Sequence, residues 1–96
     1  MAPKDQRVIE NGIASFFCKA SGNPAPEIHW RKGGKRVSGN RRRYMTVEMP
    51  HGSVLRIEPV KPRRDDSEFE CVADNGVGEP ATASSRLDVY PEGESK

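Results

Sequence analysis

Short alternations of apolar and polar residues recur along the chain, and none is long enough to suggest a helix. Ala14, Phe16, Cys18 and Ala20 alternate with Ser15, Phe17 and Lys19, and Phe69, Cys71 and Ala73 alternate with Glu70, Val72 and Asp74. A period of two places one set on a buried face of a strand and the other toward solvent. Ile28 and Trp30, Leu55 and Ile57, and Leu87 and Val89 extend the inward set. Between these runs lie turn signals: Glu10-Asn11-Gly12, Gly22-Asn23-Pro24-Ala25-Pro26, Gly33-Gly34, Pro50-His51-Gly52 and Asn75-Gly76-Val77-Gly78. The pattern predicts an edge strand over residues 3–9 and a strand over 13–20. A strand through Ile28 and Trp30 then leads into a hairpin over 31–37. Shorter strands follow over 44–48 and 54–57. A crossover over 59–67 leads to a strand through Cys71, and a hairpin to a last strand ending near Val89.

Cys18, Trp30 and Cys71 organise these strands. In an all-β domain that triplet reads as two cysteines bridging facing sheets, with the indole packed over the sulfurs. Closing a loop of 53 residues stabilises the folded state by about 4 kcal/mol, a large share of the ~5–15 kcal/mol that holds a small domain together.

Composition fits a thin core. Of 96 residues, 33% are hydrophobic and 31% charged, with nine glycines and eight prolines, so the expectation is an all-β sandwich with many short strands. One domain is expected over residues 4–90, with residues 1–3 an expression start and 91–96 a polar tail or linker. No signal peptide and no membrane-length apolar run is present, so the chain reads as an excised piece. Two cysteines in a small domain favour an oxidising, extracellular setting.

The charge is unevenly placed. Net charge is only +2, yet Arg31, Lys32, Lys35, Arg36, Arg41, Arg42 and Arg43 occur in thirteen residues without one acid. Lys61, Arg63 and Arg64 form a second group in the crossover. If the strand of Cys71 runs antiparallel to that of Trp30, the loop entering the one lies beside the loop leaving the other. The two basic groups then share one end of the sandwich. Such an end attracts polyanions by counterion release, and arginine adds bidentate bonds to oxyanions. A basic loop is often merely a solvated surface, but seven cations without an acid argue for an anionic partner. Nucleic acid is disfavoured because no aromatic platform interleaves the cations. In an extracellular domain, sulfated glycosaminoglycan is the expected ligand.

Catalytic constellations are lacking. His29 and His51 lack metal-ligand spacing, and Cys18 and Cys71 read as a disulfide, not as nucleophiles. Asp65, Asp66, Glu68 and Glu70 are expected to act locally, with Asp65 paired to an arginine of the crossover and the glutamates facing solvent. Gly76 and Gly78 precede a hairpin instead of a helix, so they do not form a phosphate loop.

The run Asp65-Asp66-Ser67-Glu68-Phe69-Glu70-Cys71, followed by Ala73, Asn75 and Gly78, resembles the corresponding strand signature of the immunoglobulin I-set. Residues 30–37, 55–60 and 71–78 resemble, more narrowly, the first immunoglobulin domain of LAR-type (type IIa) receptor protein tyrosine phosphatases. The resemblance runs from about Lys4 to Val89. Phe69 departs from it: a tyrosine is usual there, its hydroxyl bonding back to the crossover, so this corner is expected to be less fixed.

The resemblance implies a membrane-anchored cell-surface receptor acting in axon guidance and synapse formation. It further implies that this domain binds heparan sulfate and chondroitin sulfate proteoglycans through its hairpin and crossover cations. By position these are Lys32, Lys35 and Arg36 with Arg31 adjoining, then Arg56, Lys61 and Arg64. A lysine common in vertebrate members is replaced here by Gly33, for which Arg41 to Arg43 are candidates to compensate. Postsynaptic adhesion proteins are further implied partners. The catalytic domains of such receptors are outside this chain, so the domain itself is expected to be a non-catalytic monomer. Two alternatives remain: a protein–protein adhesion module with incidental basic charge, and an intracellular scaffold domain with reduced thiols.

Overall fold

The structure, a computed structural model, describes residues 3–37 and 42–93. Among the described residues, eight strands and one helical turn occur in the order β1 (Gln6–Ile9), β2 (Ala14–Lys19), β3 (Glu27–Lys32), β4 (Lys35–Arg36), β5 (Tyr44–Met49), β6 (Gly52–Ile57), α1 (Pro62–Asp65), β7 (Ser67–Asp74) and β8 (Ala81–Tyr90). They form a five-stranded sheet, β1-β8-β7-β3-β4, and a three-stranded sheet, β2-β6-β5. β1 runs parallel to β8, and the other pairs are antiparallel. This is the all-β sandwich that the alternation predicted.

The period-two runs do what their spacing requires. In β2, Ala14, Phe16 and Cys18 are buried while Ser15, Phe17 and Lys19 are exposed. Phe16, Trp30, Leu55, Ile57, Val60, Phe69 and Leu87 fill the space between the sheets, each at most 1% exposed. The Cys18–Cys71 disulfide joins the sheets. The indole nitrogen of Trp30 donates to Ser53 Oγ at 3.0 Å, which satisfies the one polar group that this large side chain brings into the core.

Two details differ from the sequence reading. Val72 has outward parity on β7 but is 2% exposed, because β7 is central in its sheet and Val72 sits in register between His29 and Thr82. At the corner around Phe69, other contacts stand in place of the missing tyrosine hydroxyl. Phe69 stacks on Phe16 with ring centroids 5.2 Å apart, and Tyr44, on the facing sheet, supplies a hydroxyl to the crossover instead.

Candidate functional site

The β3–β4 hairpin turns through Gly33 and Gly34, at φ +55° and +87°. Positive φ at both central residues matches the twist of the flanking strands, which is why two glycines stand here. The turn sets two like-charged pairs directly opposite each other, Arg31 with Arg36 and Lys32 with Lys35. Such pairs are destabilising across a ladder. One relief is local: Arg31 Nη1 reaches Glu70 Oε1 on β7 at 3.5 Å, so Glu70 does not simply face solvent as expected.

The crossover meets this hairpin. Lys32 registers with Phe69, and Gly33 N donates to Glu68 O at 3.0 Å. The hairpin tip therefore lies beside the strand start into which α1 leads. The segment entering β5 joins from the other side, where Glu58 N donates to Arg43 O at 2.9 Å. Three segments remote in sequence thus converge at one pole of the sandwich.

Within that pole the cations divide. Among the described residues, Lys32, Lys35, Arg36, Arg42, Arg63 and Arg64 have no carboxylate within ion-pair distance. Lys35, Arg36, Arg42, Arg63 and Arg64 are exposed and Lys32 is half-buried. Arg56 is exposed on the three-stranded sheet near the same pole and pairs with Glu58 at 2.8 Å. Lys61 Nζ donates to Asn11 Oδ1 at 2.7 Å, which turns it toward the β1–β2 connection. Arg41 lies outside the described residues.

Arg43 corrects one expectation. Asp65 does not pair with a crossover arginine; its partner is Arg43, at 2.5 Å from Nη1 to Oδ2 and 3.2 Å from Nη2 to Oδ1. Arg43 Nη1 also donates to Pro59 O at 2.9 Å. The Tyr44 hydroxyl donates to Asp65 Oδ1 at 2.5 Å, and Lys61 N to Asp65 Oδ2 at 2.6 Å. Asp65 is fully buried. Burial pushes its carboxyl up, but the hydrogen bonds from Arg43, Tyr44 and the Lys61 amide outweigh this and hold it below the ordinary value of 3.8. The same bond to Asp65 raises the Arg43 guanidinium further. Arg43 is thus part of the frame that fixes α1, and its charge is largely neutralised.

Other polar groups play supporting roles. His29 is half-buried on the outer face of the five-stranded sheet. Burial, and then the neighbouring charges of Arg36 and Arg31, lower it from 6.5 against the opposing pull of Asp74 and Glu70, which favours a neutral ring. Arg86, which sequence reasoning overlooked, bonds Asp66 and Asp88, while Asp66 Oδ2 accepts from Val89 N at 2.9 Å. These contacts anchor the exit of α1 to β8. The described residues contain no group of His, Cys, Asp and Glu side chains able to hold a metal ion.

A disulfide-linked sandwich of this strand order, with a tryptophan over the bridge, defines a class. The chain matches the immunoglobulin I-set domain family over residues 1–89 and belongs to it. Within that class it is similar to the tyrosine-protein phosphatase Lar of Drosophila melanogaster, with 53% identity over 89 residues covering 92% of this chain and 4% of that protein. It is also similar to the human receptor-type tyrosine-protein phosphatase F, at 44% identity over 94% of this chain and 5% of that protein. The solved N-terminal Ig1-2 module of the Drosophila receptor phosphatase DLAR superposes with a TM-score of 0.95 and 47% identity, covering 100% of this chain and 50% of that one. Titin domain M7 superposes at 0.85 with 27% identity, covering 93% and 88% of the two chains. The domain is thus of the LAR receptor phosphatase type, as its motifs indicated. It is an immunoglobulin domain and not a phosphatase domain. The chain spans about one twentieth of the length of these phosphatases.

Proposed function

We propose that this domain is an extracellular ligand-binding module of a receptor tyrosine phosphatase. In this reading it binds heparan sulfate and chondroitin sulfate proteoglycans through its cationic pole and serves axon guidance and synapse formation. The observation that carries the proposal is the convergence of the β3–β4 hairpin with the α1 crossover, joined to the two like-charged pairs in the hairpin, of which Arg31 alone meets a carboxylate. A polyanion bound across the hairpin would relieve this repulsion. Lys32, Lys35, Arg36, Arg42, Arg63 and Arg64 form the contact set, with Arg31, Arg56 and Lys61 at its margin and Arg41 adjoining in sequence. Arg43 holds the frame.

Binding of this kind releases counterions, so affinity falls steeply with salt. The test is retention on immobilised heparin. Reversing Lys32, Lys35 and Arg36 to glutamate abolishes retention at physiological salt and leaves the thermal transition in place, because these side chains lie outside the core. Unchanged retention refutes the site. The rival adhesion-module reading predicts that the wild type leaves heparin no later than it leaves a sulfonate column of matched charge.

A further inference from the structure

The β7–β8 turn carries an Asn-Gly pair at Asn75 and Gly76 that the anion site does not use. The chain holds a second such pair, Asn11 and Gly12, and the two are built differently. At the first, the Gly76 N–H donates to the Asp74 carboxylate, Oδ1, at 2.8 Å. The Val77 N–H donates to Asn75 Oδ1 at 3.0 Å, which closes the carboxamide back over the Asn75–Gly76 peptide. Gly76 has a φ of +79°, and the direction its Cβ would take is open.

We infer that Asn75 is a site of spontaneous intramolecular deamidation, with Asp74 as proton acceptor and the Val77 N–H as oxyanion donor. The Gly76 nitrogen forms a bond to Asn75 Cγ as its proton passes to Asp74 Oδ1. Negative charge develops on Asn75 Oδ1, where the Val77 N–H already points. The tetrahedral intermediate collapses with cleavage of Cγ–Nδ2, and Asp74 returns the proton so that ammonia leaves. The resulting succinimide is opened by water at either carbonyl, giving aspartate or isoaspartate. Nucleophile, base, carbonyl and oxyanion donor lie within four consecutive residues, so orientation is largely prearranged.

Asn11 lacks this arrangement. Its Oδ1 is held by Lys61 Nζ at 2.7 Å, which directs the carboxamide toward the crossover. The Gly12 N–H is committed to the Ile9 carbonyl at 3.0 Å, an acceptor far too weak a base to take the proton. Asn11 N also donates to Val60 O, and Val60 N to Gly12 O, so the peptide is pinned on both sides.

The product places a new carboxylate beside Asp74 on a groove that Glu27, His29 and Arg36 also line. The isoaspartate form adds a methylene to the hairpin backbone there. This turn follows the last residue of β7, whereas the cationic pole adjoins the first, but the shared groove reaches Arg36 of the contact set, so the modification is expected to weaken heparin retention without abolishing it.

The experiment incubates the folded domain and the same domain in denaturant at neutral pH. Peptide mass spectrometry and isoaspartate methylation then follow the conversion of both asparagines. The ratio of the Asn75 rate to the Asn11 rate is expected to be several-fold higher in the folded protein than in denaturant. Asp74→Asn, which keeps an acceptor oxygen but removes the base, slows conversion at Asn75 several-fold without shifting the thermal transition. Gly76→Ala slows it as well. A folded-state ratio equal to or below that in denaturant, or an Asp74→Asn rate equal to wild type, overturns the inference.

Discussion

The β3–β4 hairpin and the segment entering β5 belong to one acid-free run of cations, yet they hold their charges differently. In the hairpin, Lys35 and Arg36 project into solvent opposite other cations. Seven residues after Arg36, Arg43 turns inward to a fully buried carboxylate. The difference lies in the partner. An acid that the tertiary fold brings within reach converts a cation from ligand surface into frame, and where none arrives the charge stays available. Composition alone does not separate these outcomes, but a buried Asp65 does.

The contrast breaks most visibly at Asp65. Asp65→Ala removes the carboxylate that Arg43, the Tyr44 hydroxyl and the Lys61 amide share. Losing one partner of a buried pair costs about 3–5 kcal/mol, to be read as a shift in the denaturant midpoint. Lys35→Ala is expected to change stability by less than about 0.5 kcal/mol, as at other exposed positions. Equal effects from the two substitutions would erase the distinction between frame and surface.

Acid sharpens the same contrast. Because the folded-state carboxyl of Asp65 lies below its ordinary value, its contribution is fully present above about pH 3.8. It is lost progressively as pH falls from there through the lower folded value. A denaturant series with wild type and Asp65→Asn is expected to show a constant gap at neutral pH that narrows only in that acid range. A gap that already closes near pH 6 contradicts the assignment.

Gly33 gives a smaller effect in both directions. A lysine there adds a cation at the hairpin tip, where a Cβ has room 3.7 Å from Ser67 Oγ. The left-handed backbone at φ +55° costs a non-glycine residue roughly 1–2 kcal/mol. Gly33→Lys is therefore expected to elute from heparin at higher salt while melting at lower temperature. The smallest effect belongs to Glu70→Gln. It removes a part-exposed partner worth at most about 1 kcal/mol and frees Arg31, so elution moves slightly later. Earlier elution contradicts the role given to Arg31.

Much of this architecture is legible in the chain. Trp30 between Cys18 and Cys71, the alternation through Phe16 and Phe69, and the glycine pair at 33 and 34 each act through local rules of parity, bridge and turn. Antiparallel pairing of the strands of Trp30 and Cys71 then brings the basic groups to one pole. What escaped depends on contacts between remote segments. Asp65 and Arg43 are 22 positions apart, and their pairing requires the entry to β5 to pack on the crossover. Val72 is buried because its strand is central, which parity does not register. The reach of Arg86 to Asp66 spans 20 positions and follows no periodic signal.

The central claim is that one pole of the sandwich receives a sulfated chain, and backbone amide chemical shifts measured during titration with a heparin oligosaccharide test it most directly. The account predicts shifts concentrated at 32–36, 42 and 63–64, diminishing with added salt, while 75–78 at the opposite pole stays still. Shifts centred on 75–78, or spread evenly over both sheets, would contradict it.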